Sequence, residues 1–597
     1  MCTTFLASCI LFRLASAGYT LANYPALVRL NPNIPYRTRG NAALCFEILP
    51  KKNRIKKTVG DSIVPGRQYR PFINSDKKTF YLMPQDKRKT NISDNNSQSE
   101  LSYQEREDII NMIRKEVELF SRFECSNTNP GTVLLWHAQQ MEGDISKRRD
   151  IDNFLLFDKF YKRCVKTEVK LDDALQVLSA FSSGLSLKKE ELERPLQPHP
   201  GCDLLRTKEV QQMLPLLPNT HSTASTGERI PVSVWEGDGC KAIGYKNSRG
   251  IIGALAAISW ACTLNNRSRI MGSVRRSGNF RKLYTFELIG YRLPFSISSD
   301  AILAFPPRLI EKETVLKMEK RLPWTFNNID LKNNHIAITP NTPCPVLYGV
   351  RGTRAQLWQV PEILGPSKPE GWTIFISNQA TDDHLIAFAE IYCDCISSSP
   401  ASSPSTSSPS TSFIHTPEPP SWKNTSAYLH AIIEGKPEVI KGGHVFVKAK
   451  VGGISCPEPY NTISLTLAAY EPSKEFAEKV RTLVPGDEIA ACGTFRCESS
   501  VETDEPYPLN LTLNLEKFFL LKKAELRIKK ANPLCFVCNK RMKSKGKSCP
   551  FRCTVCGRRA PRECAEYEIL KRPLEEKKWY EPPVCARRHL YRPVELG

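Results

Sequence analysis

Four cysteines near the C-terminal end carry the plainest chemistry in this chain. Cys535 and Cys538 are separated by two residues, fourteen residues follow, and Cys553 and Cys556 repeat the spacing within NPLCFVCNKRMKSKGKSCPFRCTVCGRRA. Two such knuckles supply four thiolates at tetrahedral reach of one Zn2+, a closed set with no open position for catalysis, so a structural zinc ribbon is predicted. Cys549 in the intervening loop is a less suitable ligand, and the spacing disfavours a disulfide pair. Lys540, Arg541, Lys543, Lys545, Lys547 and Arg552 surround the metal loops. Cations at that density predict a nucleic-acid clamp whose grip weakens as salt rises.

Further chemistry sits in short polar segments beside apolar runs. LVRLNPNIPYRTRGNAALCFEI places Arg37, Arg39 and Gly40 in a bend between β-like segments, suited to cradling phosphate and equally to being a solvated turn. In NSRGIIGALAAISWA, Ser248, Arg249 and Gly250 precede an apolar helix whose first amides can receive an anion, and Gly253 reads as a packing glycine. TPNTPCPVLYGVRG (339–352) and IFISNQATDDHLI (374–386) deliver polar side chains from strand ends. There Asp382, Asp383 and His384 suit proton transfer, recognition of a cation, or buried capping. The opening MCTTFLASCILFRLASAGYT looks like a secretory signal, but Arg13 follows the apolar core instead of preceding it. Leu6, Ala7, Ile10, Leu11 and Leu14 instead predict a core-facing helix, with Thr3 at its N-terminus where free amides stabilise a phosphoryl group.

The elements that must hold these residues follow from composition and pattern. A chain of 597 residues predicts three to five domains. It is 41% hydrophobic and 24% charged, and contains no apolar run near the roughly 20 residues of a membrane-spanning helix, so no membrane association is expected. The net charge is +22, and residues 521–597 hold 21 Lys and Arg against 8 Asp and Glu, which points to a polyanionic partner gripped at that end. Twenty-one cysteines, odd in number and thinly spread, fit a reducing, cytoplasmic compartment. The run SSSPASSPSTSSPSTSFIHTPEPP (397–420) has almost nothing to bury and predicts a disordered linker. Stretches 83–108 and 186–232 look like insertions, while 107–121 has helical spacing through Ile109, Ile110, Ile113, Val117 and Leu119. After the linker come five β-rich runs, YLHAIIEG, HVFVKAKV, ISLTLAAYE, EIAACGTF and LTLNLEKFFLLKKAEL, with helical KEFAEKVRTLV after the third. That order predicts a small closed barrel of the OB type.

In sequence order, MCTTFLA, RLNPNIPYRTRGNAA, TNPG (128–131), RGIIGALAAISW, PNTPCPVLYGVRG, SNQATDDHLI, GGHVFVKAKV, YEPSKEF, the zinc ribbon and PPVCARRHL (582–590) resemble the archaeal isoleucine tRNA 2-agmatinylcytidine synthetase (TiaS) family. The resemblance implies an α/β and α+β multidomain protein. Its parts would be a kinase-like ATP-binding domain with inserts (1–275), a ferredoxin-like domain (276–396), the disordered linker (397–422), an OB-fold domain (423–528), and a zinc ribbon with a basic tail (529–597). It also implies an ATP-dependent tRNA ligase. ATP with Mg2+ would phosphorylate the C2 oxygen of a wobble cytidine, and the primary amine of agmatine would displace that phosphate, leaving AMP and inorganic phosphate.

By the same resemblance Thr3 is a phosphorylated threonine, and Arg37, Arg39, Ser248, Arg249 and Gly250 lie near nucleotide. Asp382 and His384 are catalytic candidates, and Asn341 and Asp330 are substrate-binding candidates. The barrel and ribbon would hold the tRNA. Family members carry an aspartate-rich Gly-Ile-Asp-Asp-Thr-Asp-Ser segment just ahead of Met-Cys-Thr-Thr, the expected metal and ATP ligands; this sequence opens at the methionine, so further upstream coding sequence is expected. Asn327 stands where the family is expected to have aspartate. The serine-proline linker and the inserts differ from compact archaeal members and imply a eukaryotic relative. The competing expectation is a catalytically degenerate RNA-binding protein that keeps the barrel and ribbon.

Overall fold

A computed structural model of the chain describes residues 3–21, 23–35, 40–49, 70–73, 80–83, 101–136, 148–183, 220–223, 229–271, 284–291, 308–341, 344–365, 369–388, 424–452, 463–497, 511–546 and 550–596. These form two compact units, Met1–Ala427 with Val584–Gly597, and Tyr428–Pro583. The expected linker lies outside the described residues.

In the first unit, helix α1 (Thr3–Ser16) follows the apolar spacing of the sequence: Phe5, Ala7, Ile10, Leu11 and Leu14 are buried, and Thr3 at its start is exposed. Helix α2 (Tyr103–Phe120) begins with a capping box, in which Ser102 Oγ accepts from the Glu105 amide and the Glu105 carboxylate accepts from the Ser102 amide. Its Ile109, Ile110, Ile113 and Val117 are buried as expected, but Leu119 is 54% exposed. Two residues beyond Val117 the helix has turned about 200°, so Leu119 faces outward. Helices α3 (Arg148–Lys166), α4 (Leu171–Ser183) and α5 (Gly250–Met271) share a core built on Phe157, Phe160, Tyr161, Leu178, Leu255 and Trp260. Helix α6 (Lys312–Arg321) buries Val315 and Met318.

Two sheets organise this unit. One is antiparallel, in the order Gly131–Leu135, Cys240–Tyr245, Arg229–Gly237, Thr220–Thr223. The other runs Thr325–Phe326, Val346–Gly352, Thr285–Tyr291, Gly371–Ser377, Ala26–Arg29, Ala42–Cys45. Gly371–Ser377 joins Ala26–Arg29 in parallel, which sets residues near the start of the chain beside residues some 350 positions later. Within the same sheet Glu287 lies directly opposite Arg351, a cross-strand pair of opposite charge.

The second unit holds the barrel. Strands Ser426–Ile433, Val445–Val451, Ser464–Ala469, Glu488–Cys497 and Leu511–Lys522 close in the order first, second, third, fifth, fourth, first, with the third and fifth parallel. Helix Glu475–Val480 lies between the third and fourth. Alternating inward residues, among them Val447, Leu467, Ile489 and Leu513, fill the interior. The hairpin Leu526–Ala531 with Glu566–Leu570 carries the three short strands of the ribbon, and Lys578–Tyr580 pairs back onto Leu511–Lys522. Between them the buried carboxylate of Asp487, just ahead of the fourth strand, receives both terminal nitrogens of Arg572 at 2.6 and 2.8 Å.

Candidate active site and metal centre

The ribbon brings its four cysteines together as their spacing requires. The Sγ atoms of Cys535, Cys538, Cys553 and Cys556 all lie within 4.8 Å of one another, and Cys535 and Cys553 are buried. A tetrahedron with Zn–S bonds of about 2.3 Å needs sulfurs about 3.8 Å apart, so the set fits one zinc ion. Backbone amides favour two of the thiolates: those of Cys538 and Val537 bring Cys535 down to about 6, and those of Cys556 and Val555 lower Cys553, while the neighbouring Cys556 sulfur pushes Cys538 up. Lys540, Lys543, Lys545 and Arg552 are exposed around the metal loops. Arg541 is exposed too, but pairs with Glu566 and donates to the Asn532 carbonyl at 2.6 Å. Lys547 and Cys549 lie outside the described residues.

In the first unit a cleft of about 1900 Å³ opens between helix α1, the start of helix α5 and the edge of the mixed sheet. Its polar wall is built by strand register. Glu287, 3% exposed, meets Arg351 Nε at 3.5 Å and the Arg29 guanidinium at 3.7 Å, and accepts a short hydrogen bond from Gln379 Nε2. Gln379 Oε1 lies 3.0 Å from His589 Nδ1, and Arg351 reaches the same nitrogen at 3.2 Å. Withdrawal from water, then the charges of Arg29 and Arg351, hold His589 well below its ordinary range, so the ring is neutral. Behind this wall Asn378 extends the sheet by one step with its side chain: its Oδ1 accepts from the Arg29 amide at 2.7 Å and its Nδ2 donates to the Arg29 carbonyl at 2.9 Å. Asn378 also donates to Tyr161 Oη, which donates to Asp383 at 2.7 Å.

The floor of the cleft depends on a backbone-to-backbone contact. Gly250, at the start of α5, packs so closely on the TNPG loop that a Cβ would sit 2.1 Å from the Gly131 nitrogen and 2.5 Å from the Asn129 carbonyl oxygen. Against the polar wall Gly40 adopts φ +69°, and a Cβ there would meet Arg29 Nη1 at 2.6 Å and His589 Nε2 at 3.6 Å. The bend thus needs glycine both for its backbone and for room beside the arginine.

Family models described as the TiaS TCKD domain, the TiaS FLD domain and the TiaS C-terminal zinc ribbon domain match residues 1–77, 248–384 and 532–573. An isoleucine-tRNA 2-agmatinylcytidine synthetase TiaS of Methanopyrus kandleri is 32% identical over 360 residues, covering 58% of this chain and 67% of that protein. The chain belongs to the TiaS family. The TiaS of Methanocaldococcus jannaschii is 26% identical over 100% of this chain and 95% of its own length. The fold agrees with a solved complex of TiaS with its isoleucine tRNA and ATP, with a TM-score of 0.57 at 23% identity over 100% of this chain and 94% of that one. A solved complex of TiaS with the same tRNA, AMPCPP and agmatine aligns with a TM-score of 0.56 at 22% identity, covering 100% and 93%.

Within this member of the TiaS family the expected site residues fall in several places. Thr3, Arg249, Gly250 and Asn341 line the cleft. Ser248 is buried with φ +56° beneath the start of α5. The Ile251 and Ile252 amides already donate to the Ser248 and Arg249 carbonyls, so two of the helix's first amides are used internally. Gly253 meets only ordinary contacts, with Ala43 at 3.5 Å and Leu30 at 3.6 Å from a notional Cβ. Asp330 is buried beside the cleft. Burial pushes its pKa up, but hydrogen bonds from Asn333 and the Cys585 amide outweigh it and hold the carboxyl below the usual range. Asn327 accepts from Arg587 at 2.7 Å through its amide oxygen.

Asp382 and His384 are not among the residues lining the cleft. Asp382 accepts the Arg592 amide at 2.8 Å and its own amide donates to the Leu590 carbonyl, so it anchors the C-terminal segment; His384 is buried behind it. Arg37 and Arg39 lie outside the described residues. Sequence reasoning did not single out Arg29, Glu287, Arg351, Gln379 or His589. Four of these stood inside the blocks that carried the resemblance; Glu287 stood in none, and only its position opposite Arg351 reveals it.

Proposed function

We propose that this chain is an ATP-dependent tRNA ligase that replaces the C2 oxygen of the wobble cytidine of an isoleucine tRNA with agmatine. The observation that carries this reading is its end-to-end correspondence with relatives named as 2-agmatinylcytidine synthetases of an isoleucine tRNA. The chemistry suits the cleft. Oxygen at C2 is a poor leaving group until a phosphoryl group is placed on it; the amine then forms the C2–N bond, the C2–O bond breaks, phosphate departs and the amine loses a proton. A cleft of about 1900 Å³ has room for a nucleotide, an unstacked base and a small amine, and Arg29, Arg249 and Arg351 supply positive charge to phosphate. Going from ATP to AMP gives up two phosphoryl groups: one goes to the C2 oxygen, and in this reading the second goes to the hydroxyl of Thr3, exposed at the first turn of α1, from which water releases it as phosphate. Mg2+ would neutralise the phosphates of ATP, and zinc would hold the ribbon together without entering the reaction.

The domain layout read from the sequence is part of this proposal: a kinase-like domain over 1–275, a ferredoxin-like domain over 276–396, and the barrel and ribbon presenting cations to the tRNA. Among the described residues no helix is long and apolar enough to cross a membrane. A cytoplasmic location, where its tRNA substrate would be met, completes the reading. The test uses the full-length protein, an isoleucine tRNA whose wobble base is cytidine, labelled ATP and agmatine. AMP release that requires both tRNA and agmatine, with a matching mass increase of the modified nucleoside, is expected. Protein that binds the tRNA tightly yet releases no AMP would overturn the ligase reading in favour of an RNA-binding role.

A further inference from the structure

Six consecutive residues after the ribbon, Cys585 to Leu590, bond to three separate stretches of chain, at Asn33, at Asn327–Asp330 and at Ala380–Asp382. The Cys585 amide donates to Asp330, Arg587 to Asn327 and Arg588 to Asn33, while the Leu590 carbonyl accepts from the Asp382 amide. At the centre of this segment His589 enters the cleft wall itself, its carbonyl accepting from the Ala380 amide at 2.9 Å. Its Nδ1 stands between a guanidinium, which only donates, and the Gln379 amide oxygen, which only accepts. With its proton on Nε2 the neutral ring accepts from Arg351; with the proton on Nδ1 it donates to Gln379. In either form it fixes a neighbour of Glu287, because both Arg351 and Gln379 contact that carboxylate.

We propose that His589 is a positioning residue of the cleft, carried there by the C-terminal segment. It aligns Arg351 and Gln379 on Glu287, and through that carboxylate sets the Arg29 and Arg351 guanidiniums to receive the phosphates of the nucleotide. The inference rests on the ligase reading for its catalytic consequence, and on the geometry alone for its effect on nucleotide binding. Glu287 satisfies both guanidiniums with one negative charge, so the group keeps a net positive charge facing the cleft. A neutral imidazole organises that group without adding a cation that would repel the arginines.

The test compares His589→Asn, His589→Gln and His589→Ala in the full chain. An Asn amide reaches the position of Nδ1, whereas a Gln amide reaches that of Nε2. Thermal melting and tRNA affinity should stay at the wild-type level in the Asn and Gln variants. The kcat for AMP release should fall about 10²-fold in the Ala and Gln variants, the scale expected when reacting groups are slightly misplaced, with most of the loss recovered in the Asn variant. Calorimetric titration with ATP alone should give the same order: wild type and Asn tighter, Gln and Ala weaker by about tenfold, a difference near 1.4 kcal/mol. Asn and Gln variants that behave alike in both measurements, or match wild type in both, would overturn the assignment. If the wild type binds ATP but forms no AMP, the ligase reading fails while the titration still decides the role of His589. If the wild type binds no ATP, the positioning role falls as well.

Discussion

Glu287 is the residue on which the cleft wall turns, because one carboxylate answers two guanidiniums and an amide at a place with almost no water. Replacing it by Gln keeps the shape and removes the charge, leaving Arg29 and Arg351 facing each other. Loss of one partner from such a buried group costs about 3–5 kcal/mol, so Glu287→Gln should lower the urea midpoint of unfolding markedly and abolish AMP release. His589 makes a separate, pH-dependent contribution. The folded chain holds the ring well below its ordinary value of 6.5. As pH falls below that value the unfolded chain takes up a proton that the folded chain refuses, so stability declines until the folded-state ring titrates too. The urea midpoint should therefore drop more between about pH 7.5 and about pH 5.5 in wild type than in His589→Asn, and equal drops would count against it. At this scale the sequence was only partly legible. The four zinc ligands are close neighbours and announce themselves by spacing. Glu287, Arg29 and His589 come from three distant stretches, and no local pattern marks a carboxylate whose partners are a cross-strand arginine and a C-terminal histidine.

The start of helix α5 shows how one element can carry opposite demands three residues apart. A methyl on Gly250 would sit 2.1 Å from the Gly131 nitrogen, with backbone on both sides and nothing able to swing away, whereas one on Gly253 would make ordinary contacts with Ala43 and Leu30. Gly250→Ala should thus destabilise the chain by about 1–3 kcal/mol or more, as overpacking does. Gly253→Ala should be neutral or stabilise by up to about 1 kcal/mol through helix propensity; thermal melts of the two variants decide it, and equal losses would contradict the packing described. In the second unit the bidentate pair of Arg572 with Asp487 ties the stretch after the ribbon hairpin to the barrel strand. Arg572→Met should lower the melting temperature, since among the described residues it leaves a fully buried carboxylate with the Val484 and Ala524 amides as its partners. Elements were the most legible level. The second barrel strand alternates buried and less buried residues along its whole length and the third does so over its first four, so HVFVKAKV and ISLTLAAYE identify themselves without knowledge of their partners. Leu119 on α2 was misplaced because an apolar residue at the end of a helix was counted with the face it no longer belongs to. The parallel join of Gly371–Ser377 to Ala26–Arg29 was not legible at all, since nothing in either strand names the other.

At the scale of the whole molecule the distribution of charge separates two kinds of work. Residues 521–597 carry 21 Lys and Arg against 8 Asp and Glu, out of a net charge of +22 for the chain. Part of that excess is spent internally: Arg572 is buried on Asp487, Arg541 pairs with Glu566, and Arg587, Arg588 and Arg592 lie in the segment that closes the cleft wall. The exposed cations left for a polyanion include those of the ribbon surface, among them Lys543 and Lys545. The salt dependence of tRNA binding can tell these groups apart, because each phosphate contact to duplex contributes about −0.9 to the slope of log K against log salt. Lys543→Ala and Lys545→Ala should each make the slope shallower by about that amount, while Arg541→Ala, whose charge is already answered by Glu566, should change it much less. Zinc removal tests the same surface from beneath. Replacing Cys553 by Ser should release the bound zinc, loosen the loops that carry Lys543 and Lys545, and remove their share of the slope together, leaving the residual dependence of the barrel. A Cys553→Ser variant that has lost its zinc but keeps the full wild-type slope would show that the ribbon does not carry the tRNA contact.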